Sequence, residues 1–135
     1  MDILDIKKGI IAHQVNCQKK AGAGLALQIR NKYSEWYLHF INTIPYLGLL
    51  DIYYINPDLK IASLYAQDKY GYGKIYTDYE ALGICLKKLH DATNDTVYFP
   101  YKMGCGYGGG NWNIVNRLIE NYFNPFEYKI VKKIK

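Results

Sequence analysis

Hydrophobic and polar positions along this chain switch between two periods, and the switches mark its elements. A short apolar run from Gly9 closes on His13-Gln14-Val15-Asn16, the pattern of a buried strand that delivers polar groups at its C-terminal end. Alternation along it puts His13 and Val15 on one face and Gln14 and Asn16 on the other. Leu25 to Arg30 predicts a helix, with Leu25 and Ile29 sharing a face. Ser34 is placed to cap a second helix carrying Trp36, Tyr37, Phe40 and Ile41. Asp51 to Ile55 and Leu59 to Ala66 are rich in Ile and Tyr and flank Asn56-Pro57-Asp58, which predicts a hairpin. Gln67 to Tyr76 reads as a loop.

Thr77-Asp78-Tyr79-Glu80 spells a capping box, and Leu82, Cys85, Leu86 and Leu89 behind it keep helical spacing to about His90. Thr96 to Tyr101 predicts a strand. Trp112, Val115, Leu118, Ile119 and Tyr122 predict a helix that opens near Asn111 and ends at Asn124-Pro125, and Glu127 to Val131 predicts a last strand. The order is strand, helix, helix, two strands, helix, strand, helix, strand. It predicts one domain over residues 1–135, a three-layer α/β/α architecture with a mixed central sheet. Ligands of such sheets bind beyond the carboxyl ends of the strands, where the loops after Asn16 and Met103 would lie.

The second of those loops is the densest signal in the chain. Five of the twelve glycines fall in Gly104-Cys105-Gly106-Tyr107-Gly108-Gly109-Gly110. Glycine clustered between a strand and a helix lets backbone N–H groups turn toward a ligand, and the helix N-terminus favours an anion. The first loop carries Gly22-Ala23-Gly24 after Asn16, whose amide can serve a sugar hydroxyl. Two such loops facing one crevice suit a diphosphate.

Composition narrows the setting. Half the residues are hydrophobic and 21% are charged, ordinary for a globular protein. Fifteen tyrosines against four Phe and two Trp suggest that some line a wet surface or site. The net charge is +5, much of it from Lys7, Lys8, Lys19, Lys20 and the terminal Lys129, Lys132, Lys133 and Lys135. A basic field attracts polyanions, but no nucleic-acid-binding motif accompanies it, and a phosphorylated small molecule explains the charge as well. Cys17, Cys85 and Cys105 have no paired spacing, charged residues at positions 2, 5, 7 and 8 do not suit a secretory leader, and no apolar run could span a bilayer. A reduced, cytoplasmic setting is expected. His39 and His90 lack metal-ligand spacing, so no metal is expected.

These residues resemble the macro domain family, whose members bind ADP-ribose. Ile10-Ile11-Ala12-His13-Gln14-Val15-Asn16 is similar to the family strand that ends in a ribose-binding Asn. Ala21-Gly22-Ala23-Gly24-Leu25-Ala26 resembles its loop near the distal ribose, and Met103 to Trp112 its diphosphate loop. Asp2-Ile3-Leu4 resembles a Gly-Asp-Ile element whose Asp contacts adenine, with Met1 at the Gly position. The family strand that precedes this element has no counterpart, unless Asp2 to Ile6 is itself an edge strand.

The resemblance is strongest to the branch of terminal ADP-ribose glycohydrolases and ADP-ribose 1″-phosphate phosphatases, which has phage and bacterial members. It implies ligand contacts from Asp2, Ile3, Asn16, Gly22, Ala23, Gly24, Gly104, Cys105, Gly106, Tyr107 and Gly108. It implies hydrolysis of ADP-ribose 1″-phosphate or an ADP-ribosyl ester with Asn16, His13, Gln67 and Asp68 assisting, no cofactor, and an ADP-ribosylated protein as a further partner. The sequence also departs from that branch. Gln67 and Gly108 stand where it carries Lys and Asp, with Asp68 and Lys69 beside the first, and Asn111 where many relatives carry Asp. A non-catalytic nucleotide binder is the rival expectation.

Overall fold

The computed structural model describes residues 1–69, 74–106 and 108–133. In chain order it contains β1 (Gly9–Asn16), α1 (Gly24–Lys32), α2 (Ser34–Asn42), β2 (Leu50–Tyr54), β3 (Leu59–Gln67), α3 (Tyr79–Ala92), β4 (Val97–Pro100), α4 (Trp112–Tyr122) and β5 (Tyr128–Val131). The five strands form one mixed sheet in the order β2-β3-β1-β4-β5. β1 lies parallel to both β3 and β4, and β5 parallel to β4; β2 is antiparallel to β3, as its short connection requires.

Alternation sorts the strand residues into two cores. Ile10 and Ala12 of β1, with Ala62, Leu64 and Ala66 of β3, pack against Leu82, Leu86 and Leu89 of α3 and Val115 and Ile119 of α4. Ile11 and Val15, with Ile61 and Tyr65, pack on the other face against Ile29 of α1 and Trp36 and Phe40 of α2. β1 is therefore buried on both faces, which is why it reads as an apolar run that turns polar only at its end. The expected element order and three-layer architecture are present.

Three local expectations need correction. Ser34 does not cap α2: Tyr33 occupies the cap position and makes no side-chain bond there. The capping box does not form: Asp78, one residue on from Thr77, caps α3 alone by accepting the Ala81 N–H at 3.0 Å. Thr77 is unavailable as a cap, since its hydroxyl holds the glycine loop. Asp2 to Ile6 does not form an edge strand. Ile3–Asp5 is a 3₁₀ turn in which Asp2 accepts the Leu4 N–H at 3.0 Å and the buried Ile3 packs beneath α1 and α2.

The α3 face supplies Ala81, Leu82, Cys85, Leu86 and Leu89 to one core. Leu86→Ala should destabilise the protein by about 2–5 kcal/mol, whereas Ile84→Ala, on the exposed side of the same helix, should change it by less than about 1 kcal/mol. Urea unfolding of the two variants measures the difference.

Candidate binding cleft

At the carboxyl ends of β1 and β4 a cleft of about 590 Å³ opens between α1 and the glycine loop. Its lining includes Gly22, Ala23 and Gly24 on one side, Gly104, Gly106 and Gly108 on the other, and His13, Gln14, Asn16 and Gln67 between them. Lys19, Lys20, Arg30 and Lys102 also line it, and no Asp or Glu does among the described residues. Four cations and no carboxylate among the described lining residues give the cleft a charge that favours an anion.

A polar knot holds the glycine loop against the sheet. The Gln14 side-chain amide donates to Gln67 Oε1 at 2.7 Å and to Thr77 Oγ1 at 2.8 Å. The Thr77 hydroxyl in turn donates to the Gly104 carbonyl at 2.8 Å and lies 3.2 Å from the Gly108 carbonyl. Backbone N–H groups of Tyr76 and Thr77 donate to that same Gly108 carbonyl at 2.8 and 2.9 Å. The loop's carbonyls are thus drawn inward.

Two glycines are required by this packing. Gly104 has φ +76°, and a Cβ there would lie 2.6 Å from Gln14 Oε1. At Gly108 a Cβ would meet the Gly104 carbonyl and Thr77 Oγ1, each at 2.6 Å, so the loop as folded has no room for a carboxylate side chain at 108. Within the loop, the N–H groups of Cys105, Gly109 and Gly110 bond to the carbonyls of Lys102, Gly106 and Gly104. Those of Gly104, Gly106 and Gly108 engage no acceptor among the described residues, and these are the three glycines of the loop that line the cleft.

The expected site residues divide. Asn16 lines the cleft, but its Oδ1 accepts the N–H groups of Gln18 and Lys20, both at 3.1 Å, and its Nδ2 donates to the Lys20 carbonyl at 3.0 Å. Its carbonyl therefore folds its own loop, and one amide hydrogen remains for a ligand. Gln67 is similarly engaged, accepting from Gln14 and donating to the Lys69 carbonyl at 2.9 Å. Asp68 is exposed and, like Asp2, Ile3 and Cys105, lies outside the residues that line the cleft. Tyr107 falls outside the described residues.

His13 is buried on the α1–α2 side, where Nε2 meets Ser63 Oγ at 3.3 Å and the ring edge packs on Trp36. Burial pushes its pKa down to about 3, so it stays neutral near pH 7, which does not suit it to the assisting role in hydrolysis that the resemblance implies. The Cys105 thiol is raised above its usual value by burial, opposed by Lys102, so its thiolate is not favoured. Cys85 is core: burial pushes it up to about 11, and its thiol donates to the Leu49 carbonyl at 3.2 Å. Among the described residues no cluster of His, Cys, Asp or Glu could hold a metal, and no helix is long and apolar enough to cross a membrane.

Thr77 as a loop anchor, and Arg30, Tyr37 and Lys102 as lining residues, carry no signal in the sequence patterns. Arg30 stacks over the Tyr37 ring at 4.0 Å, a contact between two helices that no local pattern announces. Gln14 could have been found, because alternation put it on the face of Asn16 rather than that of His13.

The architecture with this cleft is the macrodomain fold. The macrodomain of Mycobacterium tuberculosis DarG matches with a TM-score of 0.77 at 21% identity, covering 98% of this chain and 92% of that one. Thermosipho africanus DarTG in complex with ADP-ribose matches with a TM-score of 0.81 at 16% identity, covering 98% of this chain and 40% of that one. In sequence, an uncharacterised 17.5 kDa protein of phage T4 is 26% identical over 136 residues, 90% of this chain and 84% of its own length. No protein-family model matches the chain.

The depressed pKa of His13 has a definite sign. Its folded pKa lies below the ordinary value of 6.5, so unfolding takes up a proton between about pH 6.5 and 3. Its stabilising contribution is complete above pH 6.5 and declines as pH falls, by up to about 1.4 kcal/mol per unit. The His13 ring should therefore show no titration by NMR between pH 8 and 5; a midpoint near 6.5 would contradict its burial.

Proposed function

We propose that the cleft binds ADP-ribose or a close derivative, free or carried on an ADP-ribosylated protein, and that the chain acts as a binding module. The observation that carries this reading is the set of cleft-lining glycines, Gly104, Gly106 and Gly108, whose N–H groups engage no described acceptor. Backbone donors of this kind suit diphosphate oxygens, and the cationic lining favours the same charge. Asn16, Gly22, Ala23 and Gly24 are assigned to the distal ribose, and Gly104 to Gly108, with Cys105 and Tyr107, to the diphosphate. Asp2 and Ile3, which lie outside the cleft lining, are assigned to adenine on the resemblance alone. The ADP-ribose complex of the structurally similar Thermosipho africanus DarTG supports this choice of diphosphate.

Turnover is the second reading, as hydrolysis of ADP-ribose 1″-phosphate or of an ADP-ribosyl ester. The convergence of Asn16, His13 and Gln67 on the cleft favours it. Against it stand the absence of a carboxylate among the described lining residues, the engagement of Gln67 in the polar knot, and the exclusion of a side chain at Gly108. With no carboxylate among the described lining residues and His13 buried, water would have to be activated by the substrate itself.

Calorimetry with ADP-ribose should give saturable one-site binding. Gly104→Ala, which forces a side chain into a left-handed position against Gln14, should weaken it at least about tenfold through loss of loop N–H contacts to the diphosphate. A phosphate-release assay with ADP-ribose 1″-phosphate should show no turnover above the uncatalysed rate. Turnover would replace the binding reading with the hydrolytic one, and heat-silent titration at saturating ligand, with no displacement signal, would reject both.

A further inference from the structure

We infer that the Nδ1–H of His13 is a fixed donor at the floor of the cleft that reads an uncharged acceptor on the ligand, a sugar hydroxyl or a ring nitrogen. This rests on the cleft being the ligand site proposed above. His13 is only 2% exposed yet lines the cleft, and its Nδ1 is buried with no hydrogen-bond partner among the described residues. A buried polar atom without a partner is destabilising, and one at a cleft floor can be satisfied by whatever enters.

The proton's position follows from the neighbours. Trp36 Nε1–H donates to Ser63 Oγ at 3.1 Å, which leaves the Ser63 hydroxyl hydrogen to be placed. Its acceptor among the described residues is His13 Nε2, 3.3 Å away. Nε2 therefore accepts, and the single proton of the neutral ring sits on Nδ1. Trp36 is fully buried and its ring meets the imidazole edge-on, with centroids 5.1 Å apart, so the donor is locked in direction before a ligand arrives.

The acceptor's class follows from the side of the sheet. His13 faces α1 and α2 with Val15, whereas Gln14 and the glycine loop lie on the opposite face of β1. The ligand atom over His13 is thus separate from the diphosphate. The apolar residues that line the cleft, Val15, Ala21 and Leu25 among them, suit an uncharged group there. A ligand lacking that acceptor would leave the donor unpaired, which is how such a site discriminates.

Long-range ¹H–¹⁵N NMR of the free protein should show His13 protonated on Nδ1 and bare on Nε2; the opposite tautomer overturns the inference. Calorimetry then compares ADP-ribose and ADP on wild type, His13→Gln and His13→Asn. Glutamine puts its amide where Nε2 was and keeps the Ser63 bond, whereas asparagine puts its amide where Nδ1 was. His13→Gln should weaken ADP-ribose binding at least about tenfold, equivalent to about 1.4 kcal/mol, and His13→Asn by less than about threefold. If ADP binding falls in parallel, the acceptor is in the adenosine; if ADP is unaffected, it is in the distal ribose. Equal affinity for wild type and His13→Gln overturns this inference alone, while wild type that binds neither ligand overturns it together with the functional reading. Thermal unfolding checks that the variants fold. If they do not, the wild-type Nδ1–H resonance decides: displacement on adding ADP-ribose supports the donor role, and an unmoved resonance refutes it.

Discussion

The Thr77 hydroxyl is the interaction on which the cleft depends. It accepts from Gln14 of β1 and donates to Gly104, and its backbone N–H holds Gly108, so one residue joins the central strand to two points of the glycine loop. Gln67 of β3 closes the same knot through Gln14. With the loop carbonyls turned inward, the N–H groups of Gly104, Gly106 and Gly108 are left without described acceptors. Held in this way, Gly104 and Gly108 keep their N–H groups without a described acceptor at the cleft, the arrangement on which the proposed anion cradle rests.

That arrangement bears directly on chemistry. The side chains that could have carried catalysis are committed to structure. Gln67 braces Gln14, most of the Asn16 amide shapes its own loop, and His13 is buried neutral between Ser63 and Trp36. Gly108 has no space for a carboxylate. The groups proposed to serve binding are backbone N–H groups, cations, the remaining Asn16 amide hydrogen and the neutral His13 ring, none of which needs to titrate in order to act.

Much of the fold was legible because β1 and β3 are buried on both faces and α3 and α4 present clean apolar faces at Leu82, Leu86, Leu89, Val115 and Ile119. The glycine clusters marked both loops for the same reason they work: glycine density betrays backbone that must turn tightly. What could not be read were contacts made across long sequence separation. Thr77 looked like a helix cap because a capping box is a local pattern, and only the arrival of Gly104, 27 residues on, diverts its hydroxyl. The low pKa of His13 was hidden likewise, since its burial is supplied by Trp36 and Ser63 from other elements. Asn16 looked free for a sugar because the loop residues that engage it, Gln18 and Lys20, carry no signal of doing so.

The central claim is that the glycine loop is a preformed diphosphate cradle, and a crystal structure of the protein saturated with ADP-ribose tests it most directly. The account predicts diphosphate oxygens within hydrogen-bond distance, about 2.7–3.2 Å, of the N–H groups of Gly104, Gly106 and Gly108, with Thr77 still bonded to Gly104. A cleft left empty at saturating ligand, or a diphosphate bound away from these three groups, would contradict it.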